Sequence, residues 1–229
     1  MRADTFARLV ILEALVDAEI GHYLEHRPAS MDRFREGIVA RVSDLMDLID
    51  ALDAVAAARV YDAVVDFLAE LPEDDDGVVE ATLRFKRAVD RIVARGMEER
   101  ELALPSTWAV VLDELLEELA DEYHAAVRAS GEVRPREYLR ARRLLERARE
   151  AAERIAQGAE PAARAELRDG MDRLTFAVRH QRLKATAVDF LVRAPQRLAR
   201  GYRPSPLSRI GSFVLGQLLR RRGREARPS

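Results

Sequence analysis

Apolar side chains recur every three or four residues along almost the whole chain, the spacing that gathers them on one face of an α-helix. From Asp4 to His26 the positions Phe6, Leu9, Val10, Leu15, Val16, Ile20 and Tyr23 keep that spacing, and Pro28 closes the segment. Ser30 is placed to cap a second helix. In it Ile38, Val42, Leu45, Ile49 and Leu52 step by 4, 3, 4 and 3 residues, as along a coiled-coil seam, and the pattern runs on through Val60, Val64, Phe67 and Leu71 to Pro72. Taken as one helix, residues 30–71 would span about 40 residues and about 60 Å. A rod of that length is expected to lie against a partner or a second copy.

The acidic run Glu73–Asp76 with Gly77 reads as a loop that caps a third helix through Val79, Leu83, Phe85, Val89, Ile92 and Val93. After Gly96 a loop leads to Leu104, and Pro105 opens a fourth helix with Trp108, Leu112, Leu115, Leu116, Leu119 and Tyr123, ended by Ser130–Gly131. Pro135 opens a fifth, polar helix whose large apolar residues are Tyr138, Leu139, Leu144, Leu145 and Ile155, so much of its surface is expected in water. A sixth starts at Pro161 and carries Leu167, Met171, Leu174, Phe176, Val178, Leu183, Val188, Phe190 and Leu191 up to Pro195. Gly201–Pro206 reads as a linker, and Ser208–Leu219 as a short apolar helix followed by Arg220, Arg221 and Arg222.

No segment alternates with period two and no repeat is present, so the expected fold is all-α: an antiparallel bundle of about six helices, one very long, plus a short basic C-terminal helix. The bundle is assigned to residues 1–200, and the linker and basic segment to 201–229. Composition agrees with this reading, since 48% of the 229 residues are hydrophobic and only 6% aromatic.

Charge changes the picture more than composition does. The formal net charge is −2, yet residues 192–229 hold ten arginines against Glu225 alone, so that segment carries +9 and residues 1–191 carry −11. Such asymmetry points to an anionic partner: a membrane surface, nucleic acid or the acidic body itself. A short apolar helix at Ser208–Leu219 bearing Arg209 and Phe213 and followed by Arg220, Arg221, Arg222, Arg224 and Arg227 suits the acyl boundary of an anionic bilayer. The competing arrangement docks Ile210, Phe213, Val214 and Leu218 onto the bundle. Arg134, Arg136, Arg140, Arg143 and Arg147 could join the tail on nucleic acid phosphates, or meet Glu114, Glu117, Glu118, Asp121 and Glu122 across a helix hairpin.

There is no cysteine, which excludes disulfides, thiolate metal sites and cysteine nucleophiles, and no serine sits in a glycine-flanked elbow. Charged residues interrupt the N-terminal apolar stretch and no run of 18 apolar residues exists, so residence in the cytoplasm, peripheral to the inner face of a membrane, is expected. One enzyme-like pattern is present. Glu19 precedes His22 by three residues, Asp121 precedes His124 by three, and His26 extends the first face; two such elements on facing helices resemble the spacing by which carboxylate–histidine bundles hold a divalent metal. The ordinary account is a set of polar residues at helix ends, where the helix dipole favours histidine. The expected function is therefore an interaction or scaffold protein that pairs with a protein partner or itself and attaches by its basic tail. No cofactor is required by it. A metal-binding bundle with oxidoreductase or hydrolase chemistry, and nonspecific nucleic-acid binding, are the alternatives.

Overall fold

The computed structural model describes residues 1–26, 36, 54–70, 75–128, 130–180 and 185–203. Among them eight helices occur: α1 (Ala3–His26), α2 (Ala54–Glu70), α3 (Asp75–Gly96), α4 (Glu99–Leu102), α5 (Pro105–Ala126), α6 (Pro135–Gln157), α7 (Pro161–His180) and α8 (Ala185–Tyr202). No strand is present among the described residues, and the all-α expectation holds. Whether residues 30–71 form one rod lies outside the described residues, which include only 54–70 and Glu36 of that span. The apolar tail segment and every arginine from Arg209 to Arg227 also lie outside them.

Proline and glycine set most boundaries. Pro105 and Pro135 stand at the first turns of α5 and α6, where a missing N–H leaves no intrahelical bond unmade. The α5–α6 connection is closed by an antiparallel bridge between Val127 and Val133, and it turns at Gly131, whose φ of 84° is open to glycine at little cost. The loop before α5 contains the short helix α4, held by a capping box between Glu98 and Glu101. Its carbonyls also accept from α5: Thr107 Oγ1 donates to Glu101 O at 2.7 Å and Trp108 Nε1 to Leu102 O at 2.6 Å.

The last long segment departs from expectation. A single helix ending before Pro195 was expected; instead α7 and α8 are packed side by side, with a Cβ built on Gly170 only 3.5 Å from Pro195 Cδ. Residues 25 apart on one straight helix would stand about 37 Å apart, so α7 and α8 are two packed helices rather than one. Pro195 lies inside α8 rather than after it, and Gly201 and Tyr202 form its last turn instead of a linker. An interior proline costs roughly 3 kcal/mol in a helix, and here its ring is buried beside Gly170 of α7.

The core is continuous. α1 and α5 are buried on most of their circumference, through Leu9, Ile11, Leu12, Leu15 and Val16 on one and Val110, Val111, Leu112, Leu115, Leu116 and Leu119 on the other. α6 is far more enclosed than its polarity suggests, because Ala141, Ala148, Ala151, Ala152 and Ala156 extend the seam of Leu144, Leu145 and Ile155. Alanine contributes little area but lets helix axes approach closely. The largest interface joins α5 to α6; α8 packs on α5, α1 on both α5 and α6, and α7 bridges α6 and α8. The α2–α3 pair, with Phe67 against Phe85 at 5.2 Å between ring centres, reaches the rest through α3 on α1.

Candidate functional site

Glu19 is 2% exposed, and its partners are guanidinium groups rather than a metal ligand set. Arg136 Nε donates to both of its carboxylate oxygens at 3.1 and 2.8 Å, and Arg140 Nε donates to Oε1 at 2.6 Å. Arg140 also stands 3.6 Å from Glu122, which is equally buried. His124, the other half of the expected arrangement, places Nε2 at 2.8 Å from both oxygens of Asp189 on α8. Asp121 is exposed on α5, His22 is half-buried on α1, and His26 closes α1 with its side chain outside the described residues. Among the described residues no three histidine, aspartate or glutamate side chains gather to hold a metal ion. Arginines from α6 engage Glu19, and an aspartate from α8 engages His124.

The arginines of α6 reach in several directions. Arg140 pairs with Glu122 of α5; Arg143 turns to Glu146 and Arg147 to Glu150 on their own helix, while Arg136 and Arg140 serve α1. Glu114 instead meets Arg8 of α1 at 2.6 Å, and the buried Asp113 receives Arg200 and Arg203 from the end of α8 at 3.1 and 2.8 Å. Two of the four described arginines after Val192 therefore dock on the acidic body.

The outer side of α7 and α8 carries another group. Phe176 and Phe190, both expected in the apolar stripe, are 65% and 73% exposed. The core residues Val188, Val192, Pro195 and Ala199 occupy one side of α8, and helical periodicity puts Phe190, Arg193 and Arg197 on the opposite side. Together with Ala194, Gln196 and Arg200 these three line a shallow surface groove. No carboxylate lies within 4 Å of Arg193 or Arg197 among the described residues. Phe176 stacks on the His180 ring at 4.1 Å, and the Gly170–Pro195 register sets it level with Phe190.

A cleft of about 300 Å³ opens where α1, α3, α5 and α6 converge, with Phe6, Leu9, Val10, Val89, Val93 and Trp108 as its walls. Trp108 packs edge-on against Phe6 at 5.4 Å, and the Arg154 guanidinium covers its ring at 5.5 Å. Glu13, Asp90, Arg147, Glu150 and Arg154 reach the same space. Burial pushes the Glu13 carboxyl up to about 7; Arg147 and Lys86 pull it down, and Asp90 and Asp17 push it further up.

No family model, curated protein or solved structure matches this chain. No described helix is long and apolar enough to cross a membrane.

Proposed function

We propose that this chain is a helical interaction protein that attaches peripherally to an anionic lipid surface, on the inner face of a membrane, through the outer side of α7–α8 and the arginine-rich segment that follows. The observation that carries the reading is Phe190, 73% exposed, with Arg193 and Arg197, which have no carboxylate within 4 Å among the described residues, beside it on the last described helix. An exposed phenylalanine gains by entering the acyl boundary, while each arginine near anionic headgroups contributes about 1 kcal/mol. Phe176 adds a second aromatic at the same level. Arg200 and Arg203, held by Asp113, fix this helix to the body, so attachment would orient the whole bundle at the surface for a protein partner or a second copy.

Duplex nucleic acid would use the same arginines but offers exposed phenylalanine no apolar phase, which favours lipid. Flotation with vesicles of neutral lipid, and of neutral lipid mixed with phosphatidylserine, tests the reading. The intact chain is expected to float only with the anionic vesicles. A chain stopped after Arg203 should float weakly, and Phe176→Ser with Phe190→Ser should weaken flotation further. An intact chain that ignores both vesicles overturns it; duplex binding that collapses between 50 and 200 mM salt would then favour the nucleic-acid alternative.

A further inference from the structure

The cleft beside Glu13 is separate from the outer face of α7–α8, and its charges are not self-sufficient. Lys86 is held by Asp17 at 2.6 Å, Arg147 by Glu150 at 3.0 Å, and Arg154 lies over Trp108. Among the described residues no cation stands within 4 Å of either Glu13 or Asp90, which face each other from α1 and α3. We propose that the cleft binds a small amphipathic primary amine, its ammonium between Glu13 and Asp90 and its apolar part against Phe6, Val10 and Trp108.

Size and charge both lead to that class. A volume of about 300 Å³ lies at the small end of ligand pockets, so the occupant has one ring or a short branched chain. Apolar walls gain from covering such a group. An anion would meet Glu13, Asp90 and Glu150, while the cations that could receive it are already engaged. A neutral apolar molecule would leave Glu13 still requiring a proton to lie comfortably in the cleft. An ammonium supplies the missing positive charge and thereby takes the place of that proton.

Proton displacement gives the proposal a signature. The groups facing the Glu13 carboxyl are Asp17 on its own helix, Lys86 and Asp90 from α3, and Arg147 from α6. Because the Glu13 carboxyl sits at about 7 in the free protein, amine binding releases a proton below that pH and none above it. Affinity should therefore rise about tenfold between pH 6 and pH 8.

Trp108 is the single tryptophan and lines the cleft, so its emission reports occupancy directly. The intact chain would be titrated with phenethylamine and, separately, phenylacetate at pH 6, 7 and 8, with equilibrium dialysis counting bound ligand. The expected result is saturable phenethylamine binding, about tenfold tighter at pH 8 than at pH 6, and no phenylacetate binding. Glu13→Gln should weaken the amine and flatten its pH profile while circular dichroism and the urea midpoint report an intact fold. Asp90→Asn, at an exposed position on α3, should weaken it without flattening. No saturable amine binding at any pH, equal binding of phenylacetate, or an unchanged pH profile in Glu13→Gln overturns the proposal.

Discussion

Glu13 and Glu19 lie on the same helix, less than two turns apart, and both have arginines of α6 as neighbours, yet they are managed in opposite ways. Glu19 is the deeper of the two and is gripped by Arg136 and Arg140 with bonds of 2.6 to 3.1 Å. Glu13 is less deeply placed, but its nearest basic neighbours, Arg147 and Lys86, are directed to Glu150 and Asp17, so burial outweighs them and the carboxyl titrates near neutrality. What governs a buried carboxyl here is where the guanidinium heads turn, more than how much water is excluded.

The strongest way to break the comparison is to remove a grip. Arg140→Ala takes a guanidinium away from the buried Glu19 and Glu122, and is expected to cost about 3–5 kcal/mol by urea unfolding. A loss under 1 kcal/mol would mean that water enters the network freely. Glu13→Gln should have the opposite sign. A carboxyl raised from 4.5 to about 7 in the folded state adds stability that is complete below pH 4.5 and is lost as pH rises through 7. Removing the charge should therefore stabilise the protein by about 2 kcal/mol at pH 8, after allowing for partial solvent contact, and change little at pH 4. Paired urea curves at the two pH values measure this, and equal effects at both would refute it. Asp113→Asn loosens Arg200 and Arg203 from a buried acceptor at the edge of the bundle, and should cost about 1–2 kcal/mol. The smallest change is expected from His124→Ala, which breaks an exposed pair with Asp189 and should cost at most about 1 kcal/mol by the same measurement.

Helix positions were legible because each is local: Pro105, Pro135 and Pro161 open α5, α6 and α7 where the spacing predicts, and Gly131 turns the connection. Pro195 misleads for a physical reason. A proline usually ends a helix, but here α7 packs beside Pro195 and the helix that holds it runs on to Tyr202. The polar look of α6 concealed an alanine seam. The ion pairs of Glu19 were hidden because its partners lie 117 and 121 residues away, a separation no helical period encodes. The expected hairpin of opposite charges includes Arg140 with Glu122. Glu13 left one usable signal: α1 carries apolar residues on nearly every side, so any acid within it was bound to be covered. Phe176 and Phe190 gave no such signal, since an exposed phenylalanine keeps the same spacing as a buried one.

The bridged α5–α6 turn has a kinetic consequence. These helices form the largest interface and are joined by a short connection, so their pairing closes a small loop, whereas seating α1 on α6 joins residues more than a hundred positions apart. The hairpin is thus the natural folding nucleus and α1 the late arrival. Weakening Leu115 or Leu144 should slow refolding, while loosening Glu19 should leave refolding almost unchanged and hasten unfolding, so the lifetime of the native state is governed by how firmly its first helix is held.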